Sequence, residues 1–426
     1  MLTVSTRVFK RLVRLKGFEK LTSIEEAKRI FFEKLQLKKL DVTEVSLENA
    51  LNRVLAEDVV SEKDLPPFNR SAVDGYAVKA KDTFGASQLS PKTLKIVEDS
   101  LVGEKQAVEI WTGNPVPEGA DAVVMLEHTR KKNRDTLEVL KPVAPGENVS
   151  RRGEDVRRGE VVVKAGTRLK PQHLGILAAL GFTAVKVFRK PKVAVLATGN
   201  ELVEPGEKPS PHQIVEVNRV IISGLCQQLG CETVDLGIAR DNVDEIASKI
   251  SKGIEAADVV VTTGGTSVGA KDLVPEAVNR LGAPGIVVHG IAMRPAMPTA
   301  LGVVRGKPVI VLSGNPVAAM IGFEVFGKPL ILKMLNTATP EAFFVKAKLT
   351  RRASSVLGRK SFLRVYVYME NGEFYASPVR LMGSGIISTM TKANGYVVIP
   401  EDRGGLEKDE TVLVHMFDFI GEKGNV

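Results

Sequence analysis

Between Lys192 and about Leu335 the chain repeats one pattern: a short run of branched apolar residues, usually a glycine, then a stretch of helical length. The runs are VAVLATG, VDLGI, DVVVTTGG, GIVVHG and VIVLSGNP. A strand that is apolar at every position must be covered on both faces, so the alternation commits this stretch to a doubly wound parallel sheet with helices on either side. Its helices should end near Gly230, open at Asp241 and occupy about 273–281. The flanks follow other periods. Ser23 and Glu26 form a capping-box pattern ahead of Ala27, Ile30, Phe31 and Leu35, which predicts a helix over 23–39, and a second helix is expected from about Ser46 to Ala56. From Pro66 to about Gly166, Val-rich segments broken by Gly, Pro, Asn and Asp predict β-structure. Pro171 suits the first turn of a helix ending before Gly181. Beyond Thr339, FLRVYVYME, GYVVIP and TVLVHMF alternate as strands of a small β-domain or barrel.

The 426 residues allow two to four domains, and 44% apolar with 26% charged residues describes a globular chain. No apolar run approaches the ~18 residues that span a bilayer, and the basic start MLTVSTRVFKRLVRLKGFEK lacks an apolar segment and a cleavage site. The expectation is a cytoplasmic protein with no membrane partner. Cys226 and Cys231 give neither a disulfide framework nor a zinc spacing, and His128, His173, His212, His289 and His415 are scattered. The net charge of +9 is mostly local: residues 1–20 carry six Lys/Arg against Glu19, which leaves +4 for the rest. A basic arm at a terminus is expected to be solvated, and with Trp111 and five tyrosines there are few platforms for stacking bases, so no nucleic-acid partner is expected.

In an open parallel sheet, ligands bind beyond the carboxyl ends of the strands. Three loops stand there. Thr198-Gly199-Asn200-Glu201 puts a carboxylate after a buried strand. Thr263-Gly264-Gly265-Thr266-Ser267-Val268-Gly269 offers backbone that a phosphate can approach, with Asp272 three residues on, and Ser313-Gly314-Asn315-Pro316 repeats strand, glycine turn and helix. Each alone also reads as a simple turn; three in one sheet read as a site. Glu201, Asp241 and Asp272 would repel a phosphate unless a hard cation such as Mg²⁺ lay between, although Asp241 reads equally as a helix N-cap. Neither GxxxxGK[ST] nor GxGxxG is present, which argues against an ordinary P-loop or dinucleotide-binding enzyme. Two charged loops, PFNRSAVDGYA at 67–77 and Arg151-Arg152-Gly153-Glu154-Asp155, are either solvated turns or parts of a site.

Taken in order, PPFNRSAVDGYA, WTGNPVPEGADAVV, RRGEDV, AGTRL, LATGNELVEPGE, VVVTTGGTSVGAKD and SGNPVAA resemble the molybdopterin molybdenumtransferases, that is, the MoeA proteins and the E domain of gephyrin. The resemblance covers nearly all of the chain after residue 20. It implies, after a basic arm at 1–22, a helical linker domain at 23–66 and 152–191, an inserted β-domain at 67–151, a central α/β domain at 192–338 like that of the molybdopterin adenylyltransferases, and a C-terminal β-barrel at 339–426. It also implies an elongated homodimer, its cleft formed by the central domain of one subunit and the inserted domain of the other, with a molybdopterin adenylyltransferase as a further partner. The implied reaction binds adenylated molybdopterin with its phosphates over the glycine loop, uses Mg²⁺ to assist release of AMP, and inserts molybdenum or tungsten from molybdate or tungstate.

By motif, the resemblance puts Asp74, Asp272 and Arg294 at catalytic positions and Glu201, Asp241 and Asp272 at metal positions. Thr112 and Asp155 fall at further cleft positions, Gly264, Gly265, Thr266 and Ser267 on the phosphate loop, and Gly314, Asn315, Arg380 and Ser384 at cofactor or oxyanion positions. Two departures stand out. The family's Lys-Pro-Gly-Lys-Pro reads Arg294-Pro295-Ala296-Met297-Pro298, and its Pro-Gly-Asn-Pro-Val-Ser reads Ser313-Gly314-Asn315-Pro316-Val317-Ala318. One cation and one hydroxyl are lost. Two alternatives to molybdenum insertion stay open: a nucleotide transferase or hydrolase using only the central domain, and a scaffold that binds pterin without turnover.

Overall fold

The computed structural model describes residues 21–37, 39–266, 273–337, 343–379 and 383–424. Its contacts divide the chain into two units, one formed by Thr43–Val187 and the other by the chain on either side of that insertion. All but Leu21 and Thr22 of the basic arm lie outside the described residues, as do Ser267, Asp272 and Arg380.

The larger unit holds a sheet of β1 (Lys192–Thr198), β2 (Glu232–Ala239), β3 (Val259–Thr263), β4 (Pro284–His289), β5 (Ala300–Val304) and β6 (Lys307–Leu312), in the order β2-β1-β3-β6-β5-β4. The first four in that order run parallel, as the apolar runs require. β5 is antiparallel to both β6 and β4, so β4, which carries GIVVHG, keeps the direction of the parallel strands and β5 is the reversed strand of the six. The physical reason is the turn Arg305-Gly306, whose φ values of 51° and 77° make a tight hairpin where a parallel pair would need a crossover helix. From β1 the chain moves outward first to β2 and later to β3, so a crevice opens at the carboxyl ends of β1 and β3.

Helices α1 (Ile24–Lys34), α2 (Asn218–Gln228), α3 (Val243–Ala256), α4 (Leu273–Arg280) and α5 (Pro316–Gly322) belong to this unit. The apolar faces of α3 and α4 close a core on the sheet in which Leu196, Ile246, Ile250, Val260, Val278 and Val311 are fully buried. Ser23 caps α1 by accepting from the Glu26 N–H at 3.2 Å, but the helix stops at Lys34, short of residue 39, because Leu35 turns to extended backbone. α3 is capped by Asn242, whose side chain accepts from the N–H groups of Asp244 and Glu245 at 2.9 and 3.0 Å. The capping role read for Asp241 therefore falls to its neighbour. After α5 the chain builds a closed five-stranded barrel from Phe344–Leu349, Lys360–Glu370, Glu373–Pro378, Gly395–Ile399 and Thr411–Met416, around buried Leu349, Val365, Val367 and Val414.

The smaller unit carries a six-stranded, mostly antiparallel sheet in which Gly75–Val78 lies between Gln106–Ile110 and Ala122–Met125. The helix expected over 46–56 does not form: Leu47–Asn49 makes a single 3-10 turn, Asn52 takes a φ of 63°, and Val54 and Leu55 bridge to Arg168 and Val187. Asn tolerates the left-handed region and so stops helix propagation, while burial of Ala50 and Leu55 in a local core decides the rest. No helix of the described residues is long and apolar enough to cross a membrane.

Gly253 lets α3 lie close on the sheet, since an added Cβ would stand 2.8 Å from Leu236 and 3.1 Å from both Ala194 and Val260. Gly253→Val is expected to cost about 1–3 kcal/mol by overpacking. Gly224→Ala in α2, where a Cβ meets nothing within 4 Å, should hold or raise stability by up to ~1 kcal/mol. Urea unfolding midpoints of the two variants check the contrast.

Candidate active site

Ala197, Thr263 and Leu312 share a register line across β1, β3 and β6, so the three predicted loops leave the sheet side by side. Their backbones come close enough to need glycine. Gly264, at a φ of 89°, would place a Cβ 2.4 Å from the Thr198 carbonyl, and Gly265, at 65°, would place one 2.5 Å from Val274. The Gly264 N–H donates to the Leu312 carbonyl at 3.1 Å, which fixes the spacing of the second and third loops. Above them lies a cavity of about 690 Å³ whose wall includes Gly199, Glu201, Asp241, Thr266, Gly314 and Asn315.

The loops after β1 and β2 are clasped reciprocally: the Asp241 N–H donates to Asn200 Oδ1 at 3.0 Å, and the Asn200 N–H to Asp241 Oδ2 at 3.4 Å. Arg240 adds hydrogen bonds to the Asn200 and Leu202 carbonyls at 3.1 and 3.3 Å. Beneath, buried Arg219 binds Glu216, Glu204 and Asp235 and so holds the excursion between β1 and α2. Exposed Glu201 and Asp241 line the same cavity without a basic partner among the described residues. Their charge is thus left for something in the cavity.

A second cavity of about 450 Å³ shares Pro298, Ser313 and Asn315 with the first. Its charge is opposite. Arg294, Arg359 and Arg364 line it, with Ser384 and with the two departures Met297 and Ala318. Among the described residues none of the three arginines has a carboxylate within 4 Å. Arg364, 4% exposed, has a buried Nε with no hydrogen-bond partner, and burial pushes its guanidinium below the usual value. Burial, and after it the neighbouring charge of Arg294, does the same to Arg359. Buried charge without a partner is costly, so buried Arg364 and half-buried Arg294 and Arg359 on one cavity make a site that calls for an anion. The sequence reading missed Arg359 and Arg364. The available signal was an arginine inside the apolar strand run of Lys360–Glu370, where Leu363 and Val365 on either side are buried too.

In the smaller unit, Gly75 pairs with Ile110 and Met125, which sets Asp74 beside the turn at Thr112. The Thr112 N–H and its hydroxyl both donate to Asp74 Oδ1 at 2.7 Å. The backbone bond first, and the hydroxyl bond second, hold the Asp74 carboxyl below its ordinary value. Asp155 is exposed, its N–H donates to the Leu65 carbonyl at 3.1 Å, and no hydrogen bond among the described residues joins it to Asp74 or Thr112.

Models of three protein families match the chain: the MoeA N-terminal region (domain I and II) over residues 22–181, a probable molybdopterin binding domain over 194–333, and the MoeA C-terminal region (domain IV) over 346–417. The chain is 34% identical to the molybdopterin molybdenumtransferase of Bacillus subtilis, over 87% of this chain and 88% of that one. It is 35% identical to the enzyme of the same name from Haemophilus influenzae, over 88% and 94%. The crystal structure of a molybdopterin biosynthesis MoeA protein from Pyrococcus horikoshii superposes with a TM-score of 0.80 at 35% identity, covering 93% of this chain and all of that one.

Thr112→Val removes one of the two donors to Asp74 and keeps the backbone N–H, so the Asp74 pKa should rise toward 3.8 while staying below it. Because the folded value is the lower one, this carboxylate stabilises the fold above the unfolded pKa and loses that contribution as pH falls through the folded pKa. Carboxyl-carbon NMR titration of both forms measures the shift.

Proposed function

We propose that this chain, which belongs to the MoeA family of molybdopterin molybdenumtransferases, transfers molybdenum from its oxyanion to molybdopterin in the biosynthesis of molybdenum cofactor. One observation carries the assignment of sites: two cavities of opposite charge share the wall made by Pro298, Ser313 and Asn315. A phosphate-bearing pterin fits the first, where loop backbone replaces side chains around Gly264–Thr266, and a tetrahedral oxyanion fits the arginine-lined second. The shared wall then puts the site of metal insertion within reach of both.

Mg²⁺ suits the first cavity. Among the described residues no three His, Cys, Asp or Glu converge into a protein-made cage, yet Glu201 and Asp241 leave two carboxylates there, and Mg²⁺ is commonly held by one or two carboxylates with waters and substrate phosphates. When bound, it would neutralise charge on a phosphoanhydride whose cleavage releases AMP. Glu201 and Asp241 hold the cation, the loop Gly264–Thr266 orients the phosphates, and Asp272 is proposed as a third acid by its place in the motif. Arg294, Arg359 and Arg364 draw in the oxyanion, with Ser384 as a neutral donor.

The lost lysine at Met297 and lost hydroxyl at Ala318 do not favour a scaffold that lacks turnover, because three arginines already face that cavity. Tungstate has the same charge and nearly the same size as molybdate, so both are proposed substrates. A homodimer, a molybdopterin adenylyltransferase that hands over the adenylated pterin, and a cytoplasmic setting complete the reading. The reduced state of Cys226 and Cys231 suits that compartment.

The function is tested by adding adenylated molybdopterin, Mg²⁺ and molybdate and following AMP. Glu201→Gln and Asp241→Asn should each lower Mg²⁺-dependent AMP release at least tenfold with little change in unfolding midpoint, since loop carboxylates at a sheet edge carry little packing. Unchanged release in both would remove the metal assignment. For the oxyanion, Arg364→Met should weaken molybdate binding by roughly 10- to 150-fold, the equivalent of one hydrogen bond to a charged group at about 1.5–3 kcal/mol. Met297→Lys should tighten it about tenfold. Calorimetric titration with molybdate and tungstate measures both, and light scattering tests the dimer.

A further inference from the structure

Asn218 opens α2 and lines the first cavity, and its side chain is only half used. Its Nδ2 donates to the Gly314 carbonyl at 2.8 Å, which fixes the orientation of the amide, because a carbonyl can only accept and Oδ1 could not take that place. Oδ1 is then left buried with no donor, in a residue 7% exposed. Its neighbours on the helix do not serve it: the N–H groups of Asn218 and Arg219 are both given to Glu216, at 2.6 and 3.0 Å. An unpaired buried acceptor destabilises the empty protein, and a chain that keeps one at a cavity wall recovers that cost when a bound molecule brings the donor.

We propose that Asn218 is a specificity-determining residue that accepts a hydrogen bond from a neutral N–H or O–H donor on the ring or sugar carried by the phosphates. The proposal rests on the reading of this cavity as the phosphate-bearing half of the site. Phosphate oxygens are acceptors and cannot supply the bond; a cation would prefer the carboxylates of Glu201 and Asp241. Asn218 therefore distinguishes a nucleotide or pterin phosphate from phosphate alone. Gly314, which it anchors, lies against Gly264, whose Cα would be 3.5 Å from a Cβ at Gly314, so the acceptor sits one residue layer from the proposed phosphate loop.

The test titrates wild type and Asn218→Ala, in Mg²⁺, with three probes: AMP, neopterin triphosphate and inorganic pyrophosphate. The expected result is a loss of at least tenfold for AMP, for neopterin triphosphate or for both, with pyrophosphate changed less than threefold. Which organic probe responds tells whether the donor is on the nucleoside or on the pterin. An equal loss for all three would mean that Asn218 only braces Gly314, and no loss for any would mean that Oδ1 meets no ligand; either result overturns the proposal. If wild type binds none of the probes, the cavity assignment itself fails, a result distinct from both. A second measurement does not depend on the variant folding. On wild type, AMP is compared with its 2′-deoxy, 3′-deoxy and 6-deamino analogues, and neopterin triphosphate with a 2-deamino analogue; at least one should bind tenfold more weakly than its parent. Uniform binding within both series overturns the proposal.

Discussion

The site depends on backbone packed against backbone at the carboxyl edge of β1, β3 and β6. Gly264 and Gly265 sit where any side chain would strike Thr198 or Val274, and Gly264 hydrogen-bonds directly to the strand end at Leu312. With no side chains in the way, the loops bring their amides, carboxylates and hydroxyls to one surface. The rigid core beneath, with Leu196, Val260 and Val311 fully buried, transmits that spacing. The reciprocal clasp of Asn200 and Asp241 and the buried Arg219 cluster extend the same order outward to the acidic rim.

Charge is sorted rather than balanced. In most places this chain pairs its ions, as Arg189 does with Asp258 in two bonds of 2.7 Å. The two adjoining cavities break that habit: the acids of one and the arginines of the other have no protein counter-charge among the described residues. Such groups raise the energy of the empty protein, and ligands of the matching sign recover it. The three arginines also explain how the chain can dispense with a lysine at Met297. Arg359 and Arg364 come from the barrel, so the oxyanion cavity needs the C-terminal strands as much as the central sheet.

Hydrogen bonding follows the same logic at smaller scale. Asp74 receives two donors from Thr112 and remains an anion, whereas Asn218 gives one bond and waits for one. The first arrangement fixes a charge state. The second leaves an acceptor open, which an unprotonated phosphate oxygen cannot satisfy.

Much of this was legible in the sequence because it depends on local periodicity. Unbroken apolar runs determined the parallel strands β1, β3 and β6, the glycine loops determined where a ligand could approach, and ordered motifs determined the family. Local pattern failed where longer-range packing decided. Two residues at positive φ turned β5 and β6 into a hairpin, a left-handed Asn52 and a local core replaced the expected helix over 46–56, and Asn242 took the cap that Asp241 could have held. Arg364 was hidden because, in sequence, it is one charge in an apolar strand. Only the closed barrel buries it, and only the fold carries it to Arg294, some seventy positions earlier. Asn218 was hidden for a similar reason, since its unpaired oxygen exists only once the Gly314 carbonyl has claimed the other half of the amide. The sequence by itself determined which chemistry was available at the sheet edge; the tertiary structure decided which groups were left without partners, because burial and pairing are set by neighbours distant along the chain.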